Sequence, residues 1–128
     1  MRLLLDTHAF LWFLMGDPRL STRAREVMET ESNERLLSIA SAWVIAIKTS
    51  LGKLKLSAPL AVSLHEQMAA NDVTLLPVSL AHVNLVARLP FHHRDPCDRL
   101  LVAQSIEEKI PLVSADDVVA KYGVERIW

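Results

Sequence analysis

Cysteine is almost missing from this chain: of 128 residues only Cys97 carries a thiol. A lone thiol excludes an internal disulfide and any zinc cluster built on cysteines, and it makes a reducing cytoplasm the expected compartment. Long apolar runs are missing too. The most apolar stretch, Met1 to Met15, is interrupted by Asp6 and His8 and followed by Asp17, with no small-residue cleavage site after it. It reads as a buried strand followed by a helix, so neither a signal peptide nor a membrane span is expected. Charge of either sign is not in excess, since 14 Lys and Arg stand against 15 Asp and Glu for a net of −1. The protein as a whole therefore exerts no strong pull on a polyanion, and any nucleic acid would have to be held by a local patch plus bound cations. Repeats, low-complexity tracts and linkers are likewise absent, which makes residues 1–128 one expected domain.

What is present is a globular balance, 51% hydrophobic and 23% charged residues, enough to bury a core without staples. Leu3 to Leu5 is a short continuous apolar run, the mark of a strand buried on both faces. Asp6 and Thr7 then cap a helix from His8 to Met15, stopped at Gly16-Asp17-Pro18. The pattern continues with a helix over Thr22 to Glu31, a strand at Arg35 to Ser38, and a helix from Ala40 to Leu51. That helix is capped by Ser38 or Ser41 and ended by Gly52. Pro59 marks the start of a helix over Leu60 to Ala69; Val73 to Pro77 is a strand, Ala81 to Leu89 a helix, and Pro90 to Pro96 a loop. A helix from Cys97 to Glu108, a strand at Leu112 to Ser114, a short helix at Val118 to Tyr122 and a strand at Val124 to Ile127 complete it. Strands alternating with helices predict an α/β fold with a mainly parallel central sheet, flanked by helices on both faces.

In such a sheet the ligand crevice lies beyond the carboxyl ends of the strands. Asp6 ends the first strand, Asp116 follows the Leu112 strand, and Asp98 opens the Cys97 helix, so these acids are placed to converge there. Each has an ordinary alternative. Asp6 suits an N-cap for the helix at His8, and both roles can hold at once. Asp95-Pro96-Cys97-Asp98 is a well-formed helix opening, with Asp95 as the cap and Asp98 at the third position. Asp117 is better placed than Asp116 to cap the short helix, which leaves Asp116 for the crevice. Ser114 offers a hydroxyl to support a ligand. Around these acids His92, His93 and Arg94, with Arg99, Lys48 and Arg88, would form a modest cationic rim able to hold a phosphate backbone, or equally an ordinary solvated surface.

The segments LLLDTH, SAWVIAIK, HHRDPCDRLLVAQS and LVSAD, in this order and with the closing YGVERIW, resemble the PIN-domain ribonucleases, especially the VapC-type toxins of bacterial toxin–antitoxin pairs. The resemblance implies a PIN-like fold and a magnesium- or manganese-dependent ribonuclease whose acids map onto Asp6, position 44, Asp98 and Asp116. It implies Asp6, Asp98 and Asp116 as catalytic and metal-binding residues, with Thr7 and Ser114 in support and Lys48, His93, Arg94 and Arg99 as candidate RNA contacts. It further implies an RNA substrate, a small antitoxin partner and a homodimer.

One acid is missing: Val44 stands where the family has glutamate, and no other acid occurs between Glu34 and Glu66 to replace it. Lys48, one turn later, lacks the partner that the i,i+4 spacing would give it. The expected activity is therefore impaired, and the alternative is a catalytically inactive PIN-like module that binds protein or RNA. A phosphotransfer receiver fits poorly, because no acid stands beside Asp6 and none ends Arg35 to Ser38. A haloacid-dehalogenase-like phosphatase would need an acid where His8 stands.

Overall fold

The computed structural model describes residues 1–54 and 60–128. Pro59, expected at a helix start, lies outside the described residues. Five strands form one sheet in the order β3-β2-β1-β4-β5: β1 (Arg2–Leu5), β2 (Glu34–Ser38), β3 (Val73–Leu76), β4 (Leu112–Val113) and β5 (Arg126–Ile127). Every pairing is parallel, with Leu5 opposite both Leu37 and Val113. The expected α/β class with a parallel sheet is what the chain adopts.

Alternation along β1 divides the core. Leu3 and Leu5 point to one face, together with Leu37, Val73, Val113 and Ile127, and pack against helices α1 (Thr7–Met15), α2 (Thr22–Glu29), α3 (Ile39–Ser50) and α4 (Leu60–Ala70) through Phe10, Met28, Ile45 and Met68. Leu4 points to the other face with Leu36, Leu76 and Leu112, covered by α6 (Pro96–Glu108) through Leu101 and Val102, while Leu85 and Val86 of α5 (Leu80–Val86) pack at its edge. Leu3, Leu4 and Leu5 are wholly removed from water, each worth about 1.5–3 kcal/mol relative to exposure. This two-sided burial is why the run is uniformly apolar rather than alternating.

Boundaries move by a residue or a few. Ser38, not Ser41, caps α3, accepting the Ala40 N–H at 3.1 Å, and Gly52, at φ +72°, stands just beyond the last turn. α5 ends at Val86 rather than Leu89, because Arg88 and Leu89 donate to Leu85 and Val86 in tight turns. β5 is only Arg126–Ile127, and the segment before it is a 3₁₀ helix, Asp117–Tyr122. Among the described residues no helix is long and apolar enough to cross a membrane.

Candidate functional site

The strand order reverses between β1 and β4, since β1 leads outward to β2 and β3 on one side and β4 leads to β5 on the other. At that point parallel strands part their connections and leave a crevice at their carboxyl ends. Asp6 stands at the end of β1, tied to β4 by its own N–H to the Val113 carbonyl at 3.0 Å. Its Oδ1 accepts the N–H groups of His8 at 2.8 Å and Ala9 at 3.1 Å, so it does cap α1. Its Oδ2 accepts the Ser114 hydroxyl at 2.8 Å. Thr7 does not assist that cap. It turns inward and donates to Ser41 Oγ at 2.9 Å, bracing α1 against α3.

Asp6, Thr7, Val44, Lys48, Asp95 and Asp98 line one pocket of about 150 Å³, into which His8 and Cys97 also face. Asp98 is carried there by the opening of α6: Asp95 Oδ1 accepts the N–H groups of Cys97 at 2.7 Å and Asp98 at 3.2 Å, with Pro96 in the first turn. Burial, and then the charges of Asp95, Asp6 and Asp116, push the Asp98 carboxyl above its ordinary value of 3.8, against the pull of His93. Burial, followed by Asp95 and Asp98, also raises the Cys97 thiol.

Asp116 sits beside this pocket rather than in its lining. Ser114, wholly buried, joins it to Asp6: while donating to Asp6, the same hydroxyl accepts the Asp116 N–H at 3.1 Å. The expectation that Asp117 would cap the 3₁₀ helix is corrected, because Asp116 Oδ1 accepts the Val118 N–H at 3.0 Å. Asp116 Oδ2 meets His93 Nε2 at 2.5 Å. Burial works against its charge, but the His93 hydrogen bond, the Val118 N–H and the positive charge of Arg126 outweigh it and hold its carboxyl below the ordinary 3.8.

The rim is smaller than expected. Arg99 is corrected outright: its guanidinium is buried, donating to the carbonyls of Val86, Leu89 and Pro90 and packing 4.1 Å from the Phe91 ring centroid, so it cannot reach a phosphate. His93 is spent on Asp116 and Tyr122. Arg94 and His92 are exposed in the loop, Arg88 is exposed at the end of α5, and Lys48 lies within 3.4 Å of His8 Nε2. An ammonium only donates, so His8 accepts there. Sequence reasoning missed Tyr122, Ser41 and His8. Tyr122 reaches His93 across 29 residues of chain, and no local pattern announces such a contact.

Asp6, Asp98 and Asp116 offer carboxylate oxygen, which suits a hard cation that keeps several waters. Burial first, and then repulsion among the acids, lifts Asp98, and a cation would offset both. Among the described residues, no three His, Cys, Asp or Glu side chains stand together as a ready-made cage. Asp6 and Asp98 line the same pocket and are the carboxylates that could share an ion there, with Asp116 beside it.

No curated protein matches the chain. Among solved structures, a chain of VapBC2 from Rickettsia felis bound to a DNA fragment from their promoter superposes with a TM-score of 0.73 at 13% identity, over 100% of both chains. FitAcB from Neisseria gonorrhoeae gives 0.61 at 16% identity, over 97% of this chain and 95% of the other. A toxin–antitoxin complex from Klebsiella pneumoniae gives 0.58 at 14% identity, over 88% and 85%. At such identities the likeness speaks for the fold. The PIN domain family itself matches residues 3–125, nearly the entire length, and the chain belongs to that family.

Proposed function

We propose that this protein is the ribonuclease toxin of a toxin–antitoxin pair, a magnesium- or manganese-dependent endoribonuclease impaired by Val44, with residues 1–128 acting as one domain. The observation that carries the reading is the shared crevice: Asp6 and Asp98 face one pocket, and the Asp98 carboxyl feels the charges of both Asp6 and Asp116. Membership of the PIN domain family supports nuclease chemistry. The likeness to chains of toxin–antitoxin complexes supports a small antitoxin partner. An exposed apolar surface at Ile39, Trp43, Val78 and Leu100, with Trp43 63% exposed, is of the kind that protein partners, including a second copy, cover.

When bound, one or two divalent ions supply polarisation of the phosphate, a more acidic attacking water and a stabilised leaving oxygen. The chain's own residues do the rest. Ser114 and the first N–H groups of α1 fix Asp6, α6 presents Asp98, and His93 with Val118 fixes Asp116. Lys48 and Arg94 are placed to meet backbone phosphate, and no protein nucleophile is required. Val44, half-buried in the pocket wall, puts methyl groups where the family's glutamate would orient water or ligate.

The test is cleavage of a generic RNA with and without magnesium or manganese, by this chain and by Val44→Glu. We expect weak or no cleavage from the chain as it stands and metal-dependent cleavage from the variant, about a hundredfold or more apart, the usual size of lost positioning and electrostatic contributions. Equal cleavage by both would remove position 44 from the catalytic centre. Val44 itself favours the second reading, a non-catalytic module, which metal-dependent RNA binding with no cleavage by either protein would support.

A further inference from the structure

Tyr122 closes the 3₁₀ helix that follows Asp116, and its hydroxyl meets His93 twice. It accepts the His93 backbone N–H at 2.9 Å and stands 3.0 Å from the ring Nδ1. The two rings are stacked, with centroids 5.5 Å apart and planes 9° from parallel, while His92 packs edge-on against the same tyrosine. On its far side the His93 ring presents Nε2 to Asp116 Oδ2. A carboxylate only accepts, so Nε2 carries a hydrogen in either protonation state; in the neutral ring Nδ1 is then an acceptor. The tyrosine oxygen already accepts from the backbone, which leaves its own hydrogen free to be donated to Nδ1. The His93 side chain is only 9% exposed, so the ring has little water to exchange these partners for.

We propose that Tyr122 is a positioning residue of the acidic crevice: its hydroxyl holds the orientation of the His93 ring from the Nδ1 side, so that Nε2–H aims at Asp116 and sets the direction of that carboxylate. The ring arrangement stands by itself, and its consequence for cation binding rests on the ribonuclease reading. Outer-shell partners of metal-facing carboxylates typically change cation affinity by about tenfold to a hundredfold when lost.

Tyr122→Phe keeps the ring and its stacking and removes only the hydroxyl. The first readout is the nitrogen NMR shifts of the His93 ring without metal: Nε2 should keep its hydrogen in both proteins, because Asp116 only accepts, while in the variant the Nδ1 shift should move toward that of a ring nitrogen without a hydrogen-bond partner. The second is affinity for manganese alone, measured by calorimetry in the Val44→Glu background, expected to weaken about tenfold. The third uses His93→Gln, whose amide nitrogen can stand in for Nε2–H; there Tyr122→Phe should change manganese affinity no further. Unchanged shifts in Tyr122→Phe would overturn the proposal. So would a loss of stability that moves neither readout. If Val44→Glu neither binds manganese nor cleaves RNA, the ribonuclease reading falls, while the ring shifts still decide the role of Tyr122.

Discussion

Ser114 shows how much one small side chain settles. Wholly buried, it satisfies Asp6 with its hydrogen and the Asp116 N–H with its oxygen. Ser114→Ala leaves both short of a partner, and we expect a loss of about 1–3 kcal/mol in denaturant unfolding, the usual penalty for orphaned buried polar groups. The two neighbouring acids should respond to pH with opposite signs. The folded pKa of Asp116 is lowered, so its charge favours the folded state above the ordinary value of 3.8, and that contribution is lost as pH falls through the lowered value. The folded pKa of Asp98 is raised, so its charge penalises the folded state once pH has risen through the raised value, and not below 3.8. In metal-free protein at neutral pH, Asp98→Asn should therefore raise Tm and Asp116→Asn lower it, with the Asp98→Asn effect vanishing under acid. Melts at both pH values check this, and shifts of the same sign at neutral pH would contradict it. Val44→Glu adds a further negative charge to this group, only partly offset by Lys48, so it should be less stable than the parent without metal and gain more Tm from added magnesium.

At the scale of elements, the opening of α6 both starts a helix and delivers Asp98. Asp95→Ala removes the acceptor for two N–H groups and should destabilise by about 1 kcal/mol. Asp95→Asn keeps the cap and removes the charge that is the largest of those raising Asp98, so the Asp98 carboxyl, followed by NMR titration, should move down in Asp95→Asn; no movement would show that Asp95 acts on Asp98 only as a cap. The opening was legible in the sequence because Asp95, Pro96 and Asp98 signal locally, within one turn. The β1 run and its terminal Asp6 were legible for the same reason, through apolar continuity ended by an acid. Asp116 was found, but its capping role was assigned to Asp117, since which of two adjacent acids caps depends on where β4 ends, and β4 stops at Val113. The inward turn of Arg99 and the reach of Tyr122 to His93 were not legible. A guanidinium satisfied by three carbonyls at the end of α5 and in the turn after it, and a phenol bonded across the fold, leave no trace in periodicity.

Across the whole molecule, the sheet order puts the acids at the carboxyl ends of the strands while the net charge stays at −1, so the RNA binding proposed above would have to come from few contacts. Arg99 is sealed under Phe91, and Arg126 donates to the carbonyls of Ser114 and Ala115. Among the described residues of the expected rim, Lys48 lines the crevice, Arg94 is exposed next to Asp95, and Arg88 is exposed beyond α5; Lys48 and Arg94 are the charges proposed to meet phosphate. Each phosphate neutralised on a single strand contributes about −0.7 to the slope of log affinity against log salt, so two predict a slope of about −1.4. The chain with Val44 suits this measurement, because it is expected to hold RNA without cutting it, and anisotropy titrations of a fluorescent single-stranded RNA over a range of salt would supply the slope. Lys48→Gln and Arg94→Gln should each flatten it by about 0.7. A slope several times steeper would mean that RNA tracks an extended basic surface rather than this crevice, since only release of many counterions produces it. An unchanged slope in both variants would place the RNA elsewhere on the protein, away from the acids that are proposed to cut it.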